Sequence, residues 1–344
     1  MGPHPAVAEV RRAVRTTLAP GRTVLVACSG GADSLALAAA VAFECRGRPA
    51  ALITVDHGLQ PGSDVQARAV AEIGYQLGFD PVELVRVDVT GAGGPEAAAR
   101  TARYGALDAA ADALDADVLL GHTLDDQAET VLLGLGRGSG PRSIAGMRPV
   151  DGRYRRPLLT VRRATTEAAC RALGLTPWDD PHNADPAYQR VRLRREVLPL
   201  LEDVLQGGVA EALARTAALT RDDVDALDAL AAAHLARALV SRGSDADSDL
   251  INSPSAGDFA SSMAVDHRMG VLVAELEGLP AAIRTRVLRA WAYAAGAAPL
   301  TATHTAALDE LITDWHGQGP IDLPGRFAVV RESGRLTMHP PSKE

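Results

Sequence analysis

The sequence has few cysteines, few aromatic residues and almost no lysine, and these scarcities exclude several classes of protein. Three cysteines in 344 residues, Cys28, Cys45 and Cys170, are widely spaced and form no Cys-x-x-Cys pair. That usage excludes a disulfide framework and a zinc-finger spacing, and it fits a reducing compartment. No run approaches the roughly 20 apolar residues of a membrane-spanning helix. We therefore expect a soluble, cytoplasmic protein without a membrane partner.

Positive charge comes almost entirely from arginine. Lys343 is the one lysine, and arginine supplies the other 34 of the 35 positive charges. Compositional bias of the genome is the simplest reason for this. The net charge of −8 argues against a protein that coats nucleic acid nonspecifically. Residues 134–196, however, hold 13 arginines against six acids, so the average over the chain hides a basic segment.

The first half of the chain alternates short apolar runs with stretches whose apolar residues have helical spacing. The runs are TVLVA (23–27), ALITV (51–55), VELVRV (82–87) and DVLLGH (117–122). This alternation predicts an α/β fold with a parallel sheet and helices on both of its faces. In such sheets ligands bind at the carboxyl ends of the strands, which is where SGGADS, DHGLQ and GHTLDDQ lie.

The composition of the sequence changes at about residue 137, where arginine and glycine become frequent and the hydrophobic pattern weakens. We predict an N-terminal domain over residues 1–200, of which the arginine-rich segment 137–196 faces the substrate, and a mainly helical region over 201–344. Within the second region, residues 241–263 are rich in Ser, Asp and Gly and predict a flexible, disordered insertion. FAVVRE and RLTMH, near the end, have the pattern of short strands.

SGGADS (29–34) joins the first predicted strand to a helix, which is the arrangement of a phosphate cradle. Its glycines permit close approach of the backbone to a ligand, and its serines can donate hydrogen bonds. Asp33 is the unusual member, because a carboxylate repels phosphate unless a cation lies between them. The alternative is a glycine-rich turn in which Asp33 or Ser34 only caps the helix.

A second group of acids follows the fourth predicted strand, in GHTLDDQAET (121–130). If a helix starts just after the strand, Glu129 shares a face with Asp126 at i,i+3 or with Asp125 at i,i+4. Because the acid of SGGADS ends a neighbouring strand, these carboxylates favour a shared metal site. The alternative is an ordinary helix start, where acids meet the positive end of the helix dipole.

Two arginine-bearing stretches allow more than one interpretation. In EAAARTARYGAL, Glu96, Arg100 and Arg103 fall on one helical stripe, which is most often a solvated ion-pair face. RVRLRREVLP carries four arginines within residues 190–195. Such dense charge near a phosphate-binding loop suggests contact with a polyanion, but a solvated linker has the same composition.

SGGADS resembles the SGGxDS signature of the PP-loop ATP pyrophosphatases, which cleave ATP between the α and β phosphates and pass AMP to an oxygen. Within that superfamily the chain resembles the tRNA(Ile)-lysidine synthases. The stretches that carry the resemblance run in family order over residues 22–202: DHGLQ, EAAARTARYGAL, GHTLDDQAETVLLGLGRGSG followed by IAGM, RRPLL, and DPHNADPAYQRVRLRREVLPLL. LPAAIRTRVLRAW and GQGPIDLPG extend it towards the C-terminus.

The resemblance implies a Rossmann-like sheet of the adenine nucleotide alpha hydrolase type and a ligase that forms a carbon–nitrogen bond. In the implied reaction ATP adenylates the C2 carbonyl oxygen of the wobble cytidine in tRNA(Ile) with anticodon CAU, and pyrophosphate leaves. The ε-amino group of free L-lysine then displaces AMP and gives lysidine, which changes codon specificity from AUG to AUA and tRNA identity from Met to Ile. The implied cofactors are ATP and Mg²⁺, and the oligomeric state stays open, a homodimer included.

The resemblance also implies roles for single residues. Asp33 and Glu129 would hold Mg²⁺, and Asp126 would orient or deprotonate the lysine amine. His122 would steady the adenylate, and Arg194 would contact a substrate carboxylate or a phosphate. The nucleotide would be bound by eight residues that follow the first and second strands: Ser29, Gly30, Gly31, Ala32, Asp33, Ser34, Asp56 and His57. The helical C-terminal half would grip the tRNA stem.

The chain departs from the family pattern at several points. Gln60 stands where arginine is common, Val191 stands where asparagine is usual, and PRSIAGM replaces a stretch richer in glycine. The chain ends earlier than the longest members of the family, so we expect a second C-terminal tRNA-binding module to be missing or reduced.

Three other functions compete with this interpretation. A tRNA thiolase of the same superfamily would rely on catalytic cysteines or an iron–sulfur cluster, which the cysteine spacing disfavours. A nucleotide sensor would not need all three carboxylates, and a plain tRNA-binding protein leaves them unexplained.

Overall fold

The computed structural model describes residues 2–58, 60, 62–90, 94–138, 140–180, 185–240 and 270–339. The predicted insertion at 241–263 lies outside the described residues. The chain divides into two compact units, residues 1–220 and 221–344, and this division falls inside a long helix. The domain boundary near residue 200 stays a prediction.

The first unit alternates strands and helices, as the hydrophobic pattern predicts. A π-helical turn, Leu193–Val197, joins α8 (Gln189–Arg192) to α9 (Leu198–Val204). The elements are, in chain order, α1 (Pro5–Thr17), β1 (Thr23–Ala27), α2 (Ala32–Glu44), β2 (Ala50–Asp56), α3 (Ser63–Leu77), β3 (Val82–Arg86), α4 (Pro95–Leu114), β4 (Ala116–Leu120), α5 (Leu124–Arg137), α6 (Pro141–Ile144), β5 (Val150–Asp151), β6 (Tyr154–Arg155), α7 (Arg163–Leu173), α8 (Gln189–Arg192), α9 (Leu198–Val204) and α10 (Val209–Ala238).

The described strands of this unit form one sheet in the order β3-β2-β1-β4-β6-β5. Strands β3, β2, β1, β4 and β6 run parallel, and the short β5 pairs antiparallel with β6. The predicted α/β fold with a parallel sheet is confirmed. Strand order reverses direction between β1 and β4, because β2 lies on one side of β1 and β4 on the other. Such a switch point opens a crevice at the carboxyl ends of the two strands.

Both faces of the central strands are buried, which explains why their sequences are nearly continuous apolar runs. On one face Val24 and Val26 pack with residues of α1, α2 and α7. On the other face Leu25 and Ile53 pack with Leu107 of α4. The helices therefore fix the two central strands from both sides and hold the crevice between their ends.

The second unit combines helices with a five-stranded sheet in the order β7-β8-β11-β10-β9. FAVVRE and RLTMH form β10 and β11, which pair antiparallel as a hairpin. The mainly helical C-terminal region is confirmed, although the sheet extends beyond the two pieces that the sequence predicts. The elements are β7 (Leu239–Val240), β8 (Gly270–Leu272), α11 (Ala274–Glu277), α12 (Ala281–Ala294), α13 (Ala302–Thr313), β9 (Ile321–Leu323), β10 (Phe327–Glu332) and β11 (Arg335–His339).

Helix α5 packs against α6 so closely that one position requires glycine. A Cβ at Gly134 would lie 2.0 Å from the carbonyl oxygen of Ser143, which belongs to the backbone and cannot rotate away. We expect Gly134→Ala to lower the free energy of unfolding by about 1 to 3 kcal/mol, as measured by urea denaturation.

Gly136 is the matched control, since it lies in the same helix and a Cβ there has nothing within 4 Å among the described atoms. Gly136→Ala should leave stability unchanged or raise it by up to about 1 kcal/mol through helix propensity. Equal losses in the two variants would contradict this account of the packing.

Candidate active site

SGGADS forms a turn between β1 and α2 that its own serines hold in shape. The Ser34 hydroxyl accepts a hydrogen bond from the Ser29 backbone N–H at 3.2 Å and donates to the Gly31 carbonyl at 3.0 Å. Gly31 is the N-cap residue of α2, and no side chain caps this helix. Neither Asp33 nor Ser34 therefore acts as the cap. The first amides of the helix are therefore not taken up by a side-chain cap, which leaves them available to an anion.

The backbone at Gly30 has a conformation that only glycine adopts readily. Its φ is +87°, and a Cβ there would lie 2.7 Å from Val70 and 2.8 Å from the Gln66 amide. The Gly30 carbonyl accepts a hydrogen bond from the backbone N–H of Trp178 at 2.9 Å. The segment that follows α7 is thereby fastened to the turn.

A cavity of about 110 Å³ lies beside this turn, at the carboxyl ends of β1 and β2. The Gln60 amide donates to the Asp180 carboxylate at 2.9 Å, and both side chains line the cavity. Asp56 and His57 line it too, and the Asp56 carboxylate accepts a hydrogen bond from the Gly58 N–H at 2.9 Å. Three of the predicted nucleotide-binding residues thus border one cavity: Ser29, Asp56 and His57.

Asp33, Asp126 and Glu129 converge on the guanidinium of Arg163 at the switch point between β1 and β4. Nε of Arg163 lies 3.1 Å from Oδ2 of Asp33, and one terminal nitrogen lies 2.6 Å from Oδ1 of Asp126. The other terminal nitrogen lies 3.5 Å from Oε1 of Glu129. Thr166 also donates its hydroxyl proton to Asp33. The structure therefore brings together the three acids that the strand ends predict.

The segment before α7 reaches the site through hydrogen bonds to the start of α5. The Leu124 N–H donates to the Val161 carbonyl at 2.9 Å, and the Arg163 N–H donates to the Asp125 carboxylate at 2.7 Å. Asp125 also binds the guanidinium of Arg162. Of the two acids that could share a face with Glu129, Asp126 lines the site, whereas Asp125 anchors the neighbouring segment.

Asp126 belongs to the helix start and to the acid cluster at the same time. Oδ2 accepts hydrogen bonds from the backbone N–H and the hydroxyl of Thr123, both at 2.8 Å, in a capping box. Burial raises the pKa of Asp126, but Arg163 and the Thr123 hydrogen bonds outweigh burial, and the net pKa is lowered. Both interpretations of GHTLDDQAET, an ordinary helix start and a cluster of acids at the site, therefore apply to Asp126.

Arg194 reaches Glu129 from the π-helical turn between α8 and α9. Its Nε lies 2.7 Å and a terminal nitrogen 3.2 Å from the two carboxylate oxygens of Glu129, which is fully buried. Pro199 explains the turn, because it has no N–H to donate and its ring clashes with the carbonyl four residues earlier. The wider turn carries Arg194 to the acids.

Arg103 and the two histidines after β2 and β4 carry buried polar atoms without hydrogen-bond partners among the described residues. These atoms are Nε of Arg103, Nδ1 of His57 and Nδ1 of His122. Burial and then the charge of Arg103 lower the pKa of His57, and Arg103 also contributes to the lowered pKa of His122. The solvated-face interpretation is therefore wrong for Arg103, whose Nε faces the protein interior.

The pKa of His122 falls to about 4, chiefly because burial disfavours the charged ring. Between about pH 6.5 and pH 4 the unfolded chain thus binds a proton that the folded chain does not, and stability falls as the pH drops. We expect His122→Gln to remove a destabilisation that reaches about 3 kcal/mol at the acidic end of this window. Urea denaturation across the window checks this, and an effect independent of pH would contradict it.

Among the described residues, no group of three or more His, Cys, Asp or Glu side chains is close enough to hold a metal ion. Mg²⁺ needs no such group, since it commonly binds one or two carboxylates together with substrate phosphates. Asp33 and Glu129 both contact the Arg163 guanidinium, so one cation position is within reach of both. The donor atoms fit Mg²⁺.

Sequence reasoning found the acids but missed their arginine and threonine partners. Arg163 lies in the TVRR stretch, where the sequence shows only that the segment is basic, and no motif in the sequence distinguishes Thr166.

Within the part of the chain that the structure describes, every helix is too short or too polar to span a membrane.

The first unit has the fold of a known superfamily. Residues 6–201 match the family model of the PP-loop domain. The solved U34-tRNA thiolase NcsA from Methanococcus maripaludis aligns with a TM-score of 0.52 at 19% identity, over 62% of this chain and 78% of the thiolase chain. At this identity the likeness concerns the fold alone. The first unit is a PP-loop domain.

Comparison over the whole chain defines the family more narrowly. Residues 272–337 match the model of the TilS substrate binding domain. The tRNA(Ile)-lysidine synthase of Thermobifida fusca is 54% identical over 97% of this chain and 98% of that protein. The one from Streptomyces coelicolor is 50% identical over 98% of this chain and 99% of that protein. The chain belongs to the tRNA(Ile)-lysidine synthase family.

Proposed function

We propose that the chain is a ligase that joins free L-lysine to C2 of the wobble cytidine of tRNA(Ile) with anticodon CAU. It consumes ATP, releases AMP and pyrophosphate, and acts in the cytoplasm, where these substrates meet. The convergence of Asp33, Asp126 and Glu129 beside the SGGADS turn carries the proposal. Relatives named tRNA(Ile)-lysidine synthase, which are 50% to 54% identical over nearly the whole chain, support it.

The nucleotide is proposed to lie along the ends of β1 and β2. Its base occupies the cavity beside His57, and its phosphates meet the amides of the SGGADS turn and the N-terminus of α2. Asp33 and Glu129 would hold Mg²⁺ against the phosphates. When bound, this ion would neutralise charge that builds up on the leaving pyrophosphate.

Asp126 is proposed to hold the amine of lysine against the adenylated cytidine. Its lowered pKa keeps it ionised, so it attracts an ammonium group but is a weak base. Orientation of the amine is therefore the better supported of the two roles that the sequence allows. The leaving group is AMP, which an amine displaces more readily than an unactivated oxygen.

Arg103 and His122 are proposed to contact the substrates. The buried Nε of Arg103 has no hydrogen-bond partner among the described residues, and burial lowers the pKa of this side chain, so an anionic substrate group would stabilise its charge. The lysine carboxylate or the phosphate of the adenylate would supply that charge. His122 is neutral because its pKa is about 4, and its ring can form a hydrogen bond with the adenylate. Arg194 is proposed to contact a phosphate or the carboxylate of the substrate.

The burial of the cysteines argues against the alternative function, a tRNA thiolase. All three described cysteine thiols are buried. Burial raises the pKa of Cys28, and it raises the pKa of Cys170 to about 11. Such thiols are largely protonated near neutral pH and are poor nucleophiles.

The test is pyrophosphate release from ATP together with incorporation of [¹⁴C]lysine into tRNA. Label should enter tRNA(Ile) with anticodon CAU, and initiator tRNA with the same anticodon should stay unlabelled. Pyrophosphate release without lysine incorporation would keep the adenylation and assign a different nucleophile, sulfur first. No release at all would refute the proposal. Sedimentation of the same preparation decides between monomer and homodimer.

A further inference from the structure

Each nitrogen of the Arg163 guanidinium faces a different acid. Nε lies near Asp33, and the two terminal nitrogens lie near Asp126 and Glu129, at 3.1, 2.6 and 3.5 Å. The side chain of Arg163 is only 19% exposed, and that of Glu129 is fully buried. One planar cation thus occupies the point on which three carboxylates converge.

We propose that Arg163 is an internal counterion whose guanidinium lies at the position for Mg²⁺ among the three acids and leaves this position when Mg²⁺ arrives with ATP. The inference rests on the proposed function for the identity of the incoming ligand. Arg163 would then be a positioning residue: it keeps three acids together and ready, and it keeps a divalent ion out until the nucleotide brings one.

Electrostatics supplies the first argument. Three carboxylates close together in a site of low solvent access repel one another strongly unless cations lie among them. Arg194 lies 2.7 Å from Glu129 and 3.6 Å from Asp126, and Arg190 lies 3.9 Å from Glu129, so these two acids keep a neighbouring cation when Arg163 is removed. Among the described residues, Arg163 is the one cation within ion-pair distance of Asp33. Asp33 therefore depends on Arg163 for a neighbouring positive charge.

The local structure allows the guanidinium to move while its backbone stays fixed. The Arg163 N–H is held by the Asp125 carboxylate at 2.7 Å, at the first residue of α7. The hydrogen bonds and ion pairs of the described side chain all form through its guanidinium, and its stem has several rotatable bonds. Rotation would carry the charge from the acids towards the phosphates that enter beside Asp33, so the guanidinium that Mg²⁺ replaces would pair with the phosphates that arrive with the ion.

The proposal predicts how the protein binds a divalent ion in the absence of ATP. Mn²⁺ serves as the probe, and its binding is followed by electron paramagnetic resonance with neither nucleotide nor tRNA present. Wild-type protein should bind Mn²⁺ weakly, since a guanidinium holds the position. Arg163→Gln removes that charge, and we expect Mn²⁺ to bind about tenfold more tightly or better.

Two further variants make the result specific. Arg171→Gln, in the same helix and on its exposed side, is the matched control and should bind Mn²⁺ as wild type does. Adding Asp33→Asn to Arg163→Gln should abolish the gain, because it removes a carboxylate of the proposed position. Arg163→Lys, which keeps the charge but cannot contact three acids at once, should bind Mn²⁺ with intermediate affinity and covers the case in which Arg163→Gln fails to fold.

Equal Mn²⁺ affinity of wild type, Arg163→Gln and Arg163→Lys would overturn the proposal, and so would tight binding by wild type without nucleotide. A gain that survives Asp33→Asn would overturn it as well, because the ion would then bind elsewhere. These measurements contain no ATP, lysine or tRNA. Failure of lysine incorporation would thus refute the proposed function while the Mn²⁺ result stood, and the reverse outcome would refute only the counterion.

Discussion

Replacement of Asp126 by asparagine is expected to slow the formation of lysidine by about 100- to 10,000-fold. The asparagine oxygen can still accept the two hydrogen bonds from Thr123 that cap α5. The uncharged amide, however, neither attracts an ammonium group nor accepts from Arg163 at 2.6 Å. The chain should therefore stay folded and lose activity, which [¹⁴C]lysine incorporation into tRNA(Ile) measures.

Asp125→Asn is the control for this variant, because Asp125 is the neighbouring acid of the same helix. Its carboxylate contacts the Arg162 guanidinium and the Arg163 backbone N–H, whereas that of Asp126 contacts the Arg163 guanidinium. We expect lower thermal stability and only a few-fold loss of activity in this variant at a temperature where it is folded. Near-normal lysidine formation by Asp126→Asn, or equal losses in the two variants, would remove Asp126 from the reaction.

Arg284→Ala is expected to destabilise the second unit by about 3 kcal/mol. Arg284 is buried in α12 and binds both carboxylate oxygens of Asp309 in α13, at 2.6 and 2.9 Å. It also donates to the Leu279 carbonyl at 2.7 Å. The truncation would leave a partly buried carboxylate and a carbonyl without their donor. The estimate lies at the low end for a broken buried pair, because the Asp309 side chain keeps 19% of its exposure to water.

Arg289→Ala provides the comparison, since Arg289 is an exposed residue of the same helix. Its effect should stay within about 0.5 kcal/mol. Urea denaturation of the full chain, followed by tryptophan fluorescence, measures both variants. Trp291, in the core of the second unit, is one of the three tryptophans that contribute to the signal. A loss in Arg284→Ala no larger than that in Arg289→Ala would show that the ion pair does not stabilise the unit.

The parallel sheet was predictable because its central strands are buried on both faces. Val24, Val26 and Leu25 must all be apolar, so the strand stands out as a continuous run. The sheet of the second unit was only half predictable. Strands β8 and β9 have three residues each, too few to show a period, and β8 pairs with β11 from more than sixty residues away.

The acids of the site were predictable because they end neighbouring parallel strands, which meet at one edge of a sheet. Arg163 was not, since its place depends on hydrogen bonds between the starts of α5 and α7 that no local pattern shows. The prediction that Arg103 lies on a solvated face is wrong for a different reason. Helical spacing shows which residues share a face of the helix, but it does not show which face is buried. The roles given to these residues stay predictions until the variants are measured.

The partners of the acid cluster come from distant parts of the chain. Asp33 and Arg163 are 130 residues apart, and Glu129 and Arg194 are 65 residues apart. During translation the SGGADS turn leaves the ribosome long before either arginine is synthesised, and contacts of such separation form late in folding. A nascent chain that ends before α7 thus has the phosphate cradle without the cations that balance its acids. Assembly of the whole cluster therefore has to wait until nearly all of the first unit has been synthesised.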